Sequence, residues 1–220
     1  MTFPENFSAA REENLFARVR SFLAPAPIGA TEEDDFSGKT RGGLEEKALT
    51  PSAVLIALAP GEQGTRVLLT RRSDHLRDHP GQISFPGGRL EAIDASPAEA
   101  ALREAKEEIG LKPEWVSVLG YLPTYRTATG FLIYPVVARL SADFSIQALT
   151  SDAAEVAEIL AAPLEALLHP ANRRRDTLVY QGRRHEYHVI ECDIGAQPRV
   201  IWGATAGMLL MLARRLENAG

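Results

Sequence analysis

The sequence contains a single cysteine, Cys192, among 220 residues. An internal disulfide is therefore excluded, and the composition suits a protein of a reducing compartment. Long apolar runs are also missing: the longest, residues 53–60 and 131–140, have the length of strands, whereas a membrane-spanning helix needs roughly 20 apolar residues. The first residues lack the basic and apolar stretches of a secretory signal. We therefore expect a soluble, cytoplasmic protein.

A surplus of positive charge is missing as well. The chain has 24 lysine and arginine residues against 29 aspartate and glutamate residues, which gives a net charge of −5. A general nucleic-acid-binding protein usually has a basic surplus, so this class is disfavoured. A small phosphorylated substrate, held by a local basic patch, remains compatible with the charge balance.

Helical periodicity, turn residues and apolar runs divide the chain into three parts. A capped helix is predicted to begin at Ser8 and to end before Pro25, so residues 1–27 form an N-terminal helical segment. Residues 28–49 are rich in glycine and charge and lack periodicity. We interpret them as a mobile connector, with a lid or a dimer arm as the alternative. Residues 50–220 form the main domain.

The main domain interleaves strand-length apolar segments with helical patterns. Strands are predicted at residues 52–58, 66–70, 82–85, 115–125 and 131–140, and a hairpin at residues 178–180 and 186–192. Helices are predicted at residues 97–109, 154–160, 163–168 and 204–216. This order favours an α/β sandwich, with the first of these helices inserted among the strands.

The segment R-E-A-K-E-E-I-G-L, residues 103–111, places Glu104, Glu107 and Glu108 at the end of a predicted helix. Residues at i, i+3 and i+4 share one helical face, and like charges at this spacing destabilise a helix by roughly 0.2–0.5 kcal/mol per pair. A divalent cation would explain the pattern, because Mg²⁺ prefers oxygen ligands and takes only a few of them from protein. The alternative is a solvated acidic face, balanced by the neighbouring arginine and lysine.

The context of this helix resembles the signature of the Nudix hydrolase family, G-x5-E-x7-R-E-U-x-E-E-x-G-U, in which U is aliphatic. Gly88 matches the first glycine, residues 103–104 match R-E, residues 107–108 match E-E, and Gly110 and Leu111 match G-U. The resemblance implies an α/β/α sandwich with a mixed sheet and a loop–helix–loop metal site. It also implies hydrolysis, with Mg²⁺ or Mn²⁺, of a nucleoside diphosphate linked to another moiety.

Two positions depart from the family signature. The interval between its first glycine and its arginine has one residue more here, so the first glutamate of the signature falls at Asp94 or Ala95. In the family that glutamate supports the helix through the arginine. We therefore expect Asp94 to be the partner of Arg103, with Glu91 as the second candidate. Ala105 stands where a larger aliphatic residue is usual, a mild change in a helix interior.

An arginine-rich segment precedes the signature. Residues 68–88 read L-L-T-R-R-S-D-H-L-R-D-H-P-G-Q-I-S-F-P-G-G. They resemble the extra motif of the coenzyme A pyrophosphatase branch of the family, which also tolerates the longer signature with an aspartate. Residues 201–206, I-W-G-A-T-A, look like this branch too. The branch implies cleavage of coenzyme A, or of an acylated or oxidised derivative, to 3′,5′-ADP and 4′-phosphopantetheine or its derivative.

Coenzyme A has a 3′-phosphate in addition to its pyrophosphate, so its site needs extra cationic groups. The planar fork of arginine suits phosphate recognition. The candidate substrate-binding residues are Arg72, Arg77 and His79, followed by Arg71. Ordinary surface charge is the alternative for each of them.

The candidate metal ligands are Glu104 and Glu108, one helical turn apart, with Glu107 next. The family resemblance adds the backbone carbonyl of Gly88. The candidates for the catalytic machinery are Glu107, Glu108, Arg103 and Glu155. The signature does not determine the general base, for which Glu107 and Glu155 are alternatives, and Glu155 is also compatible with a plain helix surface.

Other functions are compatible with parts of this pattern. The alternative among enzymes is a Nudix hydrolase that acts on ADP-ribose, a dinucleoside polyphosphate or an oxidised nucleotide. A catalytically inactive, nucleotide-binding module or a structural interaction domain are further alternatives, although all three signature glutamates are present. The expected partner is a small nucleotide, not a nucleic acid or a membrane, and a homodimer is possible.

Overall fold

The computed structural model describes residues 5–29, 49–61, 63–180 and 183–219. The connector predicted at residues 28–49 lies almost entirely outside these described residues. Within them, no helix is both long enough and apolar enough to cross a membrane.

Helices and strands alternate along the described chain. The helices are α1 (Glu5–Phe22), α2 (Pro97–Ile109), α3 (Leu164–Leu168) and α4 (Ala204–Asn218). The strands are β1 (Thr50–Ala59), β2 (Arg66–Arg72), β3 (Ile83–Ser84), β4 (Gly87–Arg89), β5 (Val116–Tyr121), β6 (Tyr125–Arg126), β7 (Phe131–Leu140), β8 (Val156–Pro163), β9 (Arg173–Tyr180), β10 (Arg183–Ile194) and β11 (Gln197–Trp202).

A mixed sheet is built around β1. This strand pairs in parallel with β7 from Thr50 to Leu58, and its other edge pairs antiparallel with β2 and β4. The sheet continues through β3, β5, β6 and β8, in the main order β3-β2-β1-β7-β5. A separate antiparallel sheet has the order β11-β10-β9.

Both faces of the mixed sheet are covered. Because side chains alternate along a strand, Leu55 and Ala57 of β1 pack on one face with the buried residues of α2. Ile56 and Leu58 point to the other face and pack with α1, α3, α4 and the three-stranded sheet. This arrangement confirms the α/β/α sandwich.

The helix that contains the glutamates has the predicted ends. The side chain of Ser96 accepts a hydrogen bond from the N–H of Glu99 at 3.2 Å, and Gly110 ends the helix in the left-handed conformation with φ of 65°. Ala101 and Ala105 are fully buried between the helix and the sheet. Since a small side chain allows close approach, Ala105 brings α2 near the backbone of the sheet.

Some sequence predictions were wrong. Residues 154–160 do not form a helix: a turn leads into β8, which pairs with β2, and a short apolar run does not distinguish a helix from a strand. Residues 87–89 form strand β4 and not only a turn, and the strand at 197–202 was not predicted. The predicted strand at 115–125 is divided into β5 and β6, and α1 already includes Ser8.

The N-terminal helix packs on the core of the main domain. Phe16 is buried there, and Arg18 donates from Nη2 to the carbonyl of Leu216 at 2.6 Å. Arg139 of β7 forms an ion pair with Glu13 at 2.6 Å, and its guanidinium lies 4.3 Å from the ring centre of Phe16. The boundaries drawn at residues 27 and 50 stay predictions.

Candidate active site

The glutamate face of α2 lies against the two glycines of β4, which pairs with residues 52–54 of β1. A Cβ atom on Gly88 would lie 2.4 Å from the carboxylate carbon of Glu104, and one on Gly87 would lie 2.3 Å from the carbonyl oxygen of Ala53. At Gly87 the obstacle is the backbone of β1, so no side chain fits; at Gly88 it is the end of the Glu104 side chain, which a Cβ would displace. The Gly-Gly pair therefore allows α2 and β1 to approach the strand from opposite sides.

Glu104 and Glu108 form a buried pair of carboxylates. Only 16% of the Glu104 side chain and 7% of Glu108 are exposed, and the N–H of Gly87 donates to Oε2 of Glu108 at 3.3 Å. Burial, together with the negative charge of Glu104, raises the pKa of Glu108 to about 8. Burial also raises the pKa of Glu104. A hard divalent cation would offset the repulsion, so the pair fits such an ion.

Glu107 has a different environment from this pair. Its side chain is 60% exposed and accepts a hydrogen bond from Arg103 at 3.1 Å. Over the described ranges, no three Asp, Glu, His or Cys side chains are gathered into a ready-made metal cluster. The fit therefore rests on two carboxylates, which suits an ion that takes few ligands from protein. Glu107 and the Gly88 carbonyl stay predicted ligands.

The guanidinium of Arg103 connects α2 to the loop before it. Nε and Nη2 each donate to the Asp94 carboxylate at 3.0 Å, Nη1 donates to Glu104 and Glu107 at 2.8 and 3.1 Å, and Nη2 also donates to the Arg89 carbonyl at 3.1 Å. All five N–H groups of the side chain are therefore used. These are the contacts of a positioning residue.

The Asp94 carboxylate is the partner of Arg103, as predicted. Its side chain is only 3% exposed, and hydrogen bonding to Arg103 lowers its pKa. The alternative candidate, Glu91, instead donates its backbone N–H to Asp94 at 2.8 Å. Asp94 thus anchors the longer loop to α2, because both of its carboxylate oxygens accept hydrogen bonds from the Arg103 guanidinium.

Glu155 lies in the exposed turn before β8, not on a helix. The turn is held near α2 because the N–H of Asp152 donates to the Glu108 carbonyl at 2.9 Å, and near β2 because the N–H of Ser73 donates to the Glu155 carbonyl at 2.9 Å. The negative charge of Glu155 contributes to the raised pKa of both Glu104 and Glu108. The structure therefore brings Glu155 within electrostatic reach of the carboxylate pair.

The arginine-rich motif forms the end of β2 and the following loop, residues 73–82. The positive charge of Arg72 lowers the pKa of Glu108, against the larger effect of burial, and its Nε donates to the Asp78 carbonyl at 3.3 Å. Arg77 is exposed and has no ion-pair partner in the part of the chain that the structure describes. Arg72 thus lies near the glutamate helix, and Arg77 lies exposed on the loop that follows β2.

Arg71 belongs instead to a chain of ion pairs. Its Nη1 lies 2.8 Å from Asp74 and its Nε lies 3.6 Å from Glu158. Glu158 also accepts two hydrogen bonds from Nη2 of Arg199, at 2.7 and 2.9 Å. This chain links the loop at residues 73–82 to β8 and β11. Glu158 and Arg199 were not among the sequence candidates, because the pairing of their strands was not predicted.

His79 lies in the same loop, beside two aromatic rings. Its backbone has φ of 55°, which is uncommon outside glycine. Its ring centre lies 6.3 Å from that of Trp202 in an edge-to-face arrangement, and Tyr187 lies 5.8 Å from Trp202. The sequence drew attention to the segment around Trp202 but gave this residue no role. A tryptophan followed by Gly203 at the start of a helix was the available signal.

Comparison with known proteins agrees with this geometry. The NUDIX domain family matches residues 49–181. The chain belongs to the Nudix family. The enzyme class that the signature implied is thereby confirmed: the protein is a Nudix hydrolase. Nudix hydrolases act on small nucleotide derivatives and generally use a divalent ion such as Mg²⁺ or Mn²⁺.

Several Nudix relatives cover most of the chain. "Nudix hydrolase 22, chloroplastic" of Arabidopsis thaliana is 33% identical over 94% of this chain and 74% of the relative. "Uncharacterized Nudix hydrolase NudL" of Enterobacter sp. (strain 638) is 40% identical over 75% of this chain and 82% of the relative. "Nudix hydrolase 15, mitochondrial" of Arabidopsis thaliana is 36% identical over 74% of this chain and 57% of the relative.

Proposed function

We propose that this Nudix hydrolase cleaves the pyrophosphate of coenzyme A, or of an acylated or oxidised derivative, to 3′,5′-ADP and 4′-phosphopantetheine or its derivative. The observation that carries the proposal is the pair of cations, Arg72 and Arg77, on the loop side of the glutamate helix. Arg72 acts electrostatically on Glu108, whereas Arg77 is exposed further along the loop. A substrate with two separate phosphate groups requires two such cationic positions.

Glu104 and Glu108 are the proposed ligands of the divalent ion, with the Gly88 carbonyl and Glu107 as further ones. When bound, the ion neutralises charge on phosphate oxygens and lowers the pKa of a water molecule. The protein's contribution is mainly positioning and charge stabilisation. Arg103 fixes the Glu104 carboxylate through the 2.8 Å hydrogen bond from Nη1, so that the ligand pair is already oriented when substrate arrives.

The proton of the attacking water requires an acceptor. Glu155 and Glu107 are the proposed alternatives, because both are exposed beside the buried pair. Glu107 already accepts a hydrogen bond from Arg103 at 3.1 Å, which occupies one of its oxygens. Glu155 lies on a turn whose backbone is bonded to both α2 and β2. We therefore propose Glu155 as the general base.

Arg72 is the proposed contact of the pyrophosphate and Arg77 that of the 3′-phosphate. His79 of the same loop, Trp202 at the end of β11 and Tyr187 of β10 form what we call the aromatic cluster. Aromatic rings of this kind contact nucleotide bases well, since every base has a π-face. We propose that the adenine base of the substrate packs on Trp202. Arg71, already opposed by two carboxylates, holds the loop.

Hydrolysis of coenzyme A, dephospho-coenzyme A, ADP-ribose and diadenosine polyphosphates, with Mg²⁺ or Mn²⁺ and product masses determined, tests the proposal. Coenzyme A should have the highest kcat/KM and yield 3′,5′-ADP. A higher kcat/KM for ADP-ribose would mean that the substrate is another nucleoside diphosphate derivative. Absence of hydrolysis with either metal would contradict the catalytic assignment. The cytoplasmic location and the possible homodimer stay predictions.

A further inference from the structure

A basic cavity lies where the three-stranded sheet meets α4. Its volume is about 330 Å³. The cavity is lined by Arg173, Arg174, Arg175, His188, Leu210 and Arg214. Five of these six side chains have a basic group and none has a carboxylate, in a protein whose net charge is −5. Such a concentration of cations in a concavity favours an anionic ligand.

This basic cavity is separate from the carboxylate pair. α2 packs on one face of the mixed sheet, whereas α4 and the three-stranded sheet pack on the other. On one side the cavity adjoins the aromatic cluster, since the Gly203 N–H donates to the His188 carbonyl at 3.1 Å, whereas Arg214 comes ten residues after Ala204, or about 15 Å along the helix axis. A ligand in the basic cavity would therefore be bound by a different layer of the fold from the substrate's pyrophosphate.

Strand register gathers the cations of the basic cavity. Arg175 of β9 lies directly opposite His188 of β10, and side chains at such positions are close neighbours. Arg173 is held by hydrogen bonds from Nη2 to the Leu168 carbonyl and, at 3.4 Å, to Glu217. Its Nε–H is buried and meets no acceptor among the residues that the structure describes.

The carboxylates that pair with these arginines lie outside the lining of the cavity. Arg174 is matched by Asp176 and Glu191, at 2.8 and 2.9 Å. Arg175 has only a distant, exposed partner, Glu186 at 3.7 Å. Burial, and then the positive charges of Arg175 and Arg214, lower the pKa of His188. That effect agrees with a positive potential inside the cavity, which an anion would reduce.

We propose that the basic cavity is a second, non-catalytic site that binds the phosphate group of a small phosphorylated molecule. The guanidinium groups of Arg173, Arg175 and Arg214 present planar donors that match phosphate oxygens. The volume, about 330 Å³, lies in the range of small-molecule sites, roughly 300–1,000 Å³. Leu210 adds an apolar surface for the rest of the ligand.

Isothermal titration calorimetry of the full chain in EDTA tests this site, with inorganic phosphate and 3′,5′-ADP as probes and chloride to match ionic strength. EDTA removes metal-dependent binding at the carboxylate pair; because 3′,5′-ADP can still contact Arg77 and Trp202, the heat is assigned to the basic cavity by its loss in the cavity variants. Arg175→Gln and Arg214→Gln should each weaken binding by about tenfold or more, the expected loss of one charge-assisted contact. Arg184→Gln is the matched control, since Arg184 is exposed on the same hairpin and does not line the cavity.

If only inorganic phosphate binds, the ligand is a free anion; if only 3′,5′-ADP binds, the ligand is an organic phosphate. Either result supports the site, provided that Arg175→Gln weakens the binding. Thermal unfolding of each variant checks that it remains folded, and Arg175 is the safer position because its ion pair is weak and exposed. Wild-type affinity in folded Arg175→Gln and Arg214→Gln would overturn the proposal, as would no binding of either probe to the wild type. Neither result depends on hydrolysis of coenzyme A.

Discussion

Replacement of Glu108 by glutamine tests whether the buried carboxylates form a cation site. Burial and the charge of Glu104 raise the pKa of Glu108 to about 8 in the folded protein, whereas a glutamate in an unfolded chain has a pKa of about 4.3. Between these pH values the folded state binds more protons than the unfolded state. The metal-free protein should therefore lose stability as pH rises from about 4.3 to about 8, and lose no more above that.

The size of this effect follows from the two pKa values. Each pH unit between them corresponds to about 1.4 kcal/mol, so the upper limit is about 5 kcal/mol. Glutamine has nearly the volume of glutamate, its Oε1 can accept the hydrogen bond that the Gly87 N–H gives to Oε2 of Glu108, and it has no charge. In EDTA above pH 8, Glu108→Gln should thus be more stable than the wild type by a few kcal/mol, on the order of 1 M in the urea midpoint. Below about pH 4, where Glu108 is protonated in both the folded and the unfolded state, the two proteins should unfold alike.

Urea unfolding followed by circular dichroism, in EDTA and then with Mg²⁺ or Mn²⁺, measures both effects. The metal should stabilise the wild type much more than Glu108→Gln, and hydrolysis by the variant should fall by several orders of magnitude. Glu107→Gln is the matched control, because the same charge is removed from a side chain that is 60% exposed; it retains Glu108, so its stability should fall with rising pH as that of the wild type does. Equal stabilisation of wild type and Glu108→Gln by metal would refute the reasoning, and so would a variant that is less stable at every pH.

Three further substitutions test the rest of the site. Arg77→Ala should reduce kcat/KM for coenzyme A more than for dephospho-coenzyme A, because it removes a contact to the 3′-phosphate; equal losses on both substrates would contradict that role. Gly88→Ala should displace the Glu104 carboxylate, since the new Cβ would lie 2.4 Å from its carbon. Hydrolysis measured against metal concentration should show weaker metal binding, whereas the free energy of unfolding should change little because the end of the Glu104 side chain can move. An unchanged metal dependence would argue against Glu104 as a metal ligand. Glu158→Gln should loosen the loop at residues 73–82, because it removes an ion-pair partner of Arg71. Steady-state kinetics should then show that KM rises several-fold more than kcat falls. An unchanged KM would show that the ion-pair chain does not position the loop.

The parts of the fold that the sequence predicted have local causes. α2 begins at a serine cap and ends at a glycine in the left-handed conformation, and both signals lie within the helix's own sequence. The strand β8 has no such signal: its apolar residues suited a short helix as well as a strand. Only its pairing with β2 decides between them, and that contact joins segments far apart in the chain. The same reason explains why β11 was missed.

The glycine pair shows how a tertiary contact changes the meaning of a local signal. Gly87 and Gly88 indicate a turn when the sequence is considered alone. In the folded protein they form a strand because they pair with β1, and the β1 backbone and the end of the Glu104 side chain occupy the space that their Cβ atoms would need. The family signature predicted the position of this strand's glycine but gave no information on the contact that requires it.

Strand alternation separates two neighbouring arginines that the sequence treated together. Adjacent residues of a regular strand point to opposite faces, and the pairing of β2 with β8 also shifts its register between Arg71 and Arg72, so the two arginines have different neighbours. Arg71 lies opposite Glu158 in the register of β2 and β8, and Arg72 lies within electrostatic reach of Glu108. The period of two was available in the sequence, but the direction of each side chain depended on the unpredicted strand β8.

The longer loop of this chain determines how much negative charge remains for a metal ion. Asp94 binds the Arg103 fork with both oxygens, at 3.0 Å, and Glu104 and Glu107 each receive one further hydrogen bond from it. One guanidinium therefore faces four carboxylates when Glu108 is included, which leaves a charge of −3 in the ionised state. Protonation of Glu108 removes one negative charge only below a pH of about 8, whereas a divalent ion would remove two. A bound divalent cation would therefore stabilise this arrangement at neutral pH more than protonation of Glu108 does. Because Asp94 already binds Arg103, that arginine does not neutralise the remaining carboxylates, and they still require a cation.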